Sequence, residues 1–219
     1  MLVVLTFVTG LLDAVTYLDL GHVFAANQTG NVIVLGFALV GAGQISVTAS
    51  LASFAAFVLG AAFSGWTTPR LERVTTSWTR VMFALEAVLL GLAAPMSALW
   101  TSPASPVIVV STIAFAMGMR NVTLQHLGLG SVSTTVLTST LANLAGVGLV
   151  GRRWQEVRPR LVAVIAMLLG AACGALLLQY GSLVVLGLAA ALTLVISLRA
   201  GTRGAASDQQ HRPAVSVSR

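Results

Sequence analysis

The chain has 219 residues, of which 57% are hydrophobic and only 8% are charged. Soluble domains carry roughly 25% charged residues, so the composition excludes an ordinary soluble protein and indicates an integral membrane protein. The net charge of +6 comes from twelve basic residues, all of them arginine, against six acidic ones. The arginines lie in short segments beside apolar runs, as topology signals do, which argues against nucleic-acid binding.

Apolar segments follow one another along the chain, each limited by Gly, Pro, Arg or a polar cluster. They are apolar all round, whereas a membrane barrel needs alternating polar and apolar residues. The sequence therefore predicts an all-α polytopic helical membrane bundle, with one transmembrane domain over 1–198 and a disordered basic cytoplasmic tail over 199–219. The eight segments are 2–20, 29–42, 45–66, 81–100, 107–127, 132–150, 161–180 and 183–198.

The arginines indicate how many segments cross. Eleven of the twelve lie after the third, sixth and eighth segments, and eight full crossings would place 67–80 on the side opposite to 152–160. If 2–42 and 107–150 each make one net crossing, through a broken helix or a re-entrant element, all eleven face the cytoplasm. This predicts six net crossings with both termini cytoplasmic. Eight crossings stay open as the alternative, because the rule is a bias.

The sequence also contains two related halves, about 1–100 and 107–198. Three matches follow in the same order, at offsets of 108, 109 and 110 residues, as a duplication with small insertions would leave. Three crossings per half make an inverted repeat, which many secondary transporters use; four per half would make a parallel repeat. The matches are Phe7-x-x-Gly10-x-x-Asp13 with Phe115-x-x-Gly118-x-x-Asn121, Thr29 and Leu35 with Thr138 and Leu144, and Leu59–Ala62 with Leu169–Ala172.

Five polar or helix-breaking residues interrupt the apolar sequence at 27–31, which reads Asn-Gln-Thr-Gly-Asn. Asn27, Thr29 and Asn31 are candidate helix caps, and Gly30 allows close backbone approach. A helix from Thr29 to residue 42 is about 21 Å long, too short for a core of about 30 Å. It either begins inside the membrane and offers free N–H groups to an anion or polar ligand, or is capped at the surface. A weaker copy of the stretch contains Thr135 and Thr138.

Four further side chains are candidates at membrane depth. Asp13 lies near the middle of the first segment, and its repeat equivalent is Asn121. Asp13 is either a proton, cation or substrate site, or a bond acceptor for free N–H groups at a helix break. Glu86 and Arg120 lie at matching depths, so we expect a structural or gating ion pair unless Arg120 reaches the inner interface alone.

Several of these residues carry a family resemblance. The pattern Gly10-x-x-Asp13-Ala14, Leu20-Gly21, Val23-Phe24 and Thr29-Gly30-Asn31, followed by Gly118-Met119-x-Asn121 and Thr134-Thr135-x-x-Thr138, resembles the YoaK family of bacterial integral membrane proteins. The resemblance covers nearly all of 1–198. It implies a polytopic inner-membrane protein and supplies no substrate, because the family's function is unassigned. The second half reads Thr138-Ser139-Thr140 where that family often has Thr-Gly-Asn.

These features support two classes of function. The first is a secondary transporter or permease for a small polar or anionic solute, with a midplane site formed by Asp13, Asn27, Thr29, Gly30, Asn31, Asn121, Thr135 and Thr138. The second is a non-transporting scaffold, sensor or assembly factor. Enzyme motifs are missing from the sequence, so we expect no catalytic residue, metal or cofactor, and an enzyme acting on a lipid is a minor alternative. The expected partner is the lipid bilayer, and the sequence leaves a homo-oligomer open.

Overall fold

The computed structural model describes residues 1–41, 46–75, 77–99, 102, 104–129 and 154–210. Seven α-helices occupy these ranges, and a short 3-10 turn at Leu178–Tyr180 joins the last two. The predicted all-α class is confirmed. The helices are α1 (Leu2–Leu18), α2 (Gln28–Leu39), α3 (Val47–Val74), α4 (Trp78–Leu99), α5 (Ser105–His126), α6 (Trp154–Leu177) and α7 (Ser182–Gln210).

Five of these helices, α3 to α7, are long and apolar enough to cross a membrane. The helix α1 has 17 residues and α2 has 12, or about 26 Å and 18 Å at about 1.5 Å per residue. Since bilayer hydrocarbon is about 30 Å thick, α2 is too short to span alone. The predicted segment 132–150 lies outside the described residues.

Two helices extend beyond the apolar segments that the sequence defines. The third segment continues to Val74 instead of ending at residue 66. In this extension Thr67 and Arg70 donate hydrogen bonds to the carbonyl groups of Phe63 and Trp66, one turn back. The final helix continues to Gln210, so the predicted disordered tail begins within a helix; residues 211–219 lie outside the described part.

Three helix pairs build the bundle: α1 packs on α6, α3 on α5, and α4 on α7. Contacts of α4 with α5 and of α1 with α7 join the pairs. None of the three pairs consists of helices that follow each other in the chain. The buried core between them is made mostly of small and branched side chains, among them Val8, Leu11, Leu12, Val15, Leu90, Val109, Ile113, Ala116, Val185 and Leu186.

Glycines bring α1 and α6 into backbone contact. A Cβ placed on Gly10 would collide with the carbonyl oxygen of Met167, and one placed on Gly170 would collide with the carbonyl oxygen of Phe7. Neither position therefore accepts a side chain without separation of the helices. Small residues allow close approach of this kind between membrane helices.

The pair α3 and α5 is joined in the same way. A Cβ on Gly60 would collide with the carbonyl oxygen of Phe115, and one on Gly118 with that of Phe57. As in the first crossing, each helix supplies one glycine and one carbonyl group. Gly10 and Gly118 thus allow close packing as Gly60 and Gly170 do, whereas Gly65 makes only an ordinary van der Waals contact with α5.

Candidate functional site

The chain turns back into the bundle directly after α1. Gly21 and His22 have φ angles of 112° and 60°, the left-handed conformation that glycine adopts most easily. Gly21 then faces Ala49 in the first turn of α3, and the Phe24 carbonyl accepts a 2.8 Å hydrogen bond from Ser53, one turn further along α3. The segment 19–27 therefore runs inward beside α3.

Asp13 binds the inner end of this segment. Its Oδ1 atom accepts hydrogen bonds from the backbone N–H groups of Ala25, at 3.1 Å, and Ala26, at 2.9 Å. Since Asp13 precedes the end of α1 by about five residues, these bonds lie about 8 Å inside that end. The segment is not helical, so the carboxylate supplies the acceptor that its buried N–H groups lack.

Asn31 clasps the backbone of Phe24 and is 1% exposed. Its Oδ1 accepts from the Phe24 N–H at 2.8 Å, and its Nδ2 donates to the Phe24 carbonyl at 2.6 Å. The same Nδ2 lies 2.9 Å from Gln28 Oε1 and 3.2 Å from Ser53 Oγ. The side chain thus ties the first turn of α2 to the inward segment and to α3.

The other residues of the polar stretch 27–31 differ in how closely they contact the inward segment. Gln28 Nε2 donates to the Ala25 carbonyl at 2.9 Å, and the Asn27 carbonyl accepts from the Gly30 N–H at 3.1 Å. A Cβ on Gly30 would lie 2.7 Å from the ring of Phe24, so the ring requires glycine there. Thr29 is exposed, which separates it from the buried clasp.

Two buried polar atoms beside the inward segment lack a hydrogen-bond partner among the described residues: Asp13 Oδ2 and Ser50 Oγ. Asp13 is 6% exposed and Ser50 is 1% exposed. Buried polar groups are normally bonded. These two atoms therefore mark the place where the described polar network is incomplete.

Arg120 and Glu86 form a buried ion pair, with the Nε and Nη2 atoms of the arginine both donating to Glu86 Oε1. Arg120 Nη1 donates to the Leu5 carbonyl at 3.0 Å and to Thr9 Oγ1 at 3.2 Å, and Nη2 reaches Thr193 Oγ1 at 3.4 Å. One guanidinium therefore joins α1, α4, α5 and α7. The alternative in which Arg120 reaches the interface alone does not apply.

Asn121 does not join the cluster around Asp13. Its Oδ1 accepts from Gln125 at 2.8 Å, within α5, and the preceding Arg120 is level with Leu5, about two turns before Asp13. The described structure therefore does not bring Asn121 together with Asp13 and Asn31: Asp13 lies towards the end of α1, and Arg120, next to Asn121, lies level with its start. The predicted site residues Thr135 and Thr138 lie outside the described ranges.

The comparisons with known proteins place this arrangement in a family. Residues 1–198 match the family described as "Protein of unknown function (DUF1275)". The chain belongs to the DUF1275 family. It is also 34% identical over 148 residues to the UPF0700 transmembrane protein YoaK of Bacillus subtilis (strain 168). That alignment covers 66% of this chain and 64% of the relative, and no solved structure matches. The resemblance to the YoaK family is confirmed, and this chain is an integral membrane protein.

Sequence reasoning missed the hydroxyl groups of the DUF1275 site. Ser53 and Ser50 border the inward segment, and Thr9 and Thr193 bond Arg120. Single Ser and Thr residues in apolar helices commonly bond the carbonyl four residues back, as Thr9 and Thr193 also do here. One of them could have been found from its spacing: Thr9 precedes Asp13 by one helical turn, so the two side chains lie on the same face of α1.

The described DUF1275 chain therefore has two buried polar centres. The first consists of Asp13, Asn31 and Ser53 around the inward segment, and the second is the Arg120–Glu86 pair. Thr9 bonds the second centre and shares a face of α1 with Asp13 in the first. A polar line thus follows α1 through an otherwise apolar core.

Proposed function

We propose that this protein is a secondary transporter or permease for a small polar or anionic solute in the bacterial inner membrane. The observation that carries the proposal is the buried break between α1 and α2, where a carboxylate and an amide hold non-helical backbone about 8 Å inside the end of α1. Irregular backbone at membrane depth occurs where it is buried in protein or lines a cavity, and transporters build substrate sites at such breaks.

The proposal includes six net crossings, with α2 re-entrant. Asp13 lies five residues before the end of α1 and Ser53 six after the start of α3, and both bond the stretch 24–26. The end of α1 and the start of α3 are therefore at one end of the bundle, as a re-entrant α2 requires.

Contacts at both ends agree with this topology. Ser97 near the end of α4 bonds Ser182 at the start of α7, at 3.1 Å. At the opposite end Ser197 bonds the Arg80 carbonyl, at 2.8 Å. The second end carries the arginines after α3, so the positive-inside rule assigns it to the cytoplasm together with both termini.

The two glycine crossings support an inverted repeat. Each backbone contact between α1 and α6 has a counterpart between α5 and α3, at the offsets found in the sequence. A twofold operation that exchanges α1 with α5 and α3 with α6 explains both crossings. The equivalent residues are Phe7 and Phe115, Gly10 and Gly118, Phe57 and Met167, and Gly60 and Gly170.

In this proposal the described conformation is closed on both sides. Asn31 and Ser53 seal the outer break, and the Arg120–Glu86 pair seals the cytoplasmic third. Transport requires that these contacts open alternately. The solute would meet the N-terminus of α2, whose partial positive charge favours an anion or a polar acceptor.

The test begins with a thermal-shift screen of the purified protein against small polar and anionic solutes, followed by flux measurements in proteoliposomes. Asp13→Asn is the test variant, and Glu72→Gln is its matched control, because Glu72 is an exposed acid on α3. We expect flux of the stabilising solute in the wild type and in Glu72→Gln, and at least a tenfold loss in Asp13→Asn. Equal flux in both variants would remove Asp13 from the mechanism.

The topology has a separate test. Cys173 is the only cysteine, so its replacement by Ser yields a background for single-cysteine labelling. His22→Cys and Gly41→Cys should react with an impermeant thiol reagent from the outer side, and Ser77→Cys only from the cytoplasmic side. Labelling of residues 22 and 41 from opposite sides would exclude a re-entrant α2.

A non-transporting scaffold is the second candidate, and one observation favours it. The amide oxygen and nitrogen of both Asn31 and Gln28 are hydrogen-bonded within the protein. This is expected of a contact whose role is purely structural. If no solute stabilises the protein or crosses the membrane with it, and a cysteine at residue 31 never reacts in liposomes, the scaffold is the better description.

A further inference from the structure

The break contains a buried carboxyl group that has no countercharge among the described residues. Asp13 Oδ1 takes the N–H groups of Ala25 and Ala26, and Oδ2 is buried without a partner. An ionised carboxylate in a low-dielectric interior is costly unless it is paired or neutralised. Both N–H groups donate to Oδ1, so Oδ2 is removed from water and accepts no hydrogen bond from the described residues.

No described cation is available to pair with it. The packed stretches 161–177 of α6 and 182–198 of α7 contain no charged residue. On α5, Arg120 is level with Leu5, about two turns of α1 before Asp13, and is bonded to Glu86, Leu5 and Thr9. The other titratable groups near Asp13 among the described residues are Tyr17, Asp19 and His22, which are exposed, and the half-buried thiol of Cys173 on α6.

A second unused oxygen lies across the same segment. Ser50 Oγ is buried without a described partner, on the α3 turn between Ala49, which faces Gly21, and Ser53, which bonds Phe24. Asp13 thus bonds the inward segment from α1, and Ser50 lies on α3 one turn before Ser53, which bonds the same segment. These two oxygens are the only buried side-chain polar atoms without a partner in the described part of the chain.

We propose that Asp13 is a binding site for a monovalent cation, a proton or Na⁺, between α1 and the inward segment. A proton would bind Oδ2 and neutralise the carboxyl group. A sodium ion would use Oδ2, Ser50 Oγ and carbonyl groups of the non-helical segment, the kind of oxygen ligands that broken helices provide in transporters. The cation would fasten α1 to the break in the closed conformation, and its loss would favour opening.

This inference rests on the proposed transport function for its coupling role, whereas the binding itself is testable without flux. Thermal unfolding of the detergent-solubilised protein is measured against NaCl, with choline chloride holding the ionic strength constant, and against pH without Na⁺. A cation that binds only the folded state raises the Tm with its concentration. The test variants are Asp13→Asn and Ser50→Ala. The controls are Glu72→Gln and Ser111→Ala, because Ser111 already bonds its own helix.

The two cations give different results. For Na⁺, the Tm rises and saturates with NaCl in the wild type and both controls, and the rise disappears in Asp13→Asn and Ser50→Ala. For a proton, the Tm rises as the pH falls and does not change with the NaCl concentration. This pH dependence is weakened in Asp13→Asn and kept in Ser50→Ala, because binding of a proton at Oδ2 does not require the serine.

Direct measurements on the wild type keep the test valid if Asp13→Asn fails to fold. Radioactive Na⁺ binding near one ion per chain, or a protonated carboxyl band in difference infrared spectra that titrates with pH, supports the site. The proposal is overturned if neither signal is found, or if Asp13→Asn keeps the wild-type dependence on both NaCl and pH. Cation binding without flux of any solute would leave this site standing and contradict the transport function instead.

Discussion

The ion pair between Arg120 and Glu86 allows a quantitative test of how this bundle is held together. In Arg120→Met, the Glu86 carboxylate stays 1% exposed and loses its countercharge. Removing one partner of a buried pair costs about 3–5 kcal/mol. In Glu86→Leu, the guanidinium keeps the Leu5 carbonyl and the Thr9 and Thr193 hydroxyls, so we expect the lower end of that range.

The double variant is the decisive measurement. With both groups apolar, no buried charge is left unpaired, and such replacements are often neutral or stabilising. We therefore expect the double variant to be more stable than the sum of the single changes predicts, by about 2–3 kcal/mol. Stability is measured as the free energy of unfolding by dodecyl sulfate in mixed micelles, followed by far-ultraviolet circular dichroism.

Arg70→Met is the matched control, because Arg70 is exposed and stacks on Trp66 at 3.9 Å from the ring centroid. An exposed stacking contact of this kind is worth about 0.5–1 kcal/mol, so this variant should change little. Additive effects of the two core substitutions, within about 0.5 kcal/mol, would refute the view that Arg120 and Glu86 act as one unit.

Three further predictions use matched pairs of substitutions and the same unfolding measurement. Gly60→Ala should destabilise by at least about 1–3 kcal/mol because its Cβ meets backbone, whereas Gly91→Ala, with nothing within 4 Å, should be neutral or stabilising; equal effects would contradict the crossing. Asn31→Ala should cost about 1–3 kcal/mol by leaving buried groups unpaired, and Asn121→Ala clearly less, since its bond lies within α5; the reverse order would count against the clasp. Gly30→Ala should destabilise the protein because the added Cβ meets the ring of Phe24. Adding Phe24→Leu to this variant should restore part of the lost stability. If it restores none, the loss comes from the backbone and not from the ring.

The helical class, the membrane location and the family could be predicted from the sequence. Composition alone requires helices, because lipid provides no partner for backbone groups, and that class is confirmed by the described helices. The motifs around Asp13 and Thr29-Gly30-Asn31 were sufficient to indicate the family. The pairing of Glu86 and Arg120 was also predictable, since two opposite charges at matching depth in an apolar chain have few other partners.

Only the tertiary structure decided which polar residues meet. Asn121 matches Asp13 in the sequence pattern, yet it bonds Gln125 in its own helix, and the preceding Arg120 bonds Leu5 near the start of α1, away from Asp13. Ser53 and Ser50 looked like ordinary hydroxyls in an apolar helix, and their role depends on the inward segment that passes beside them. The interlaced pairing of α1 with α6 and α3 with α5 likewise depends on contacts between distant segments. Local sequence determines where a helix breaks, whereas long-range packing determines what the break faces.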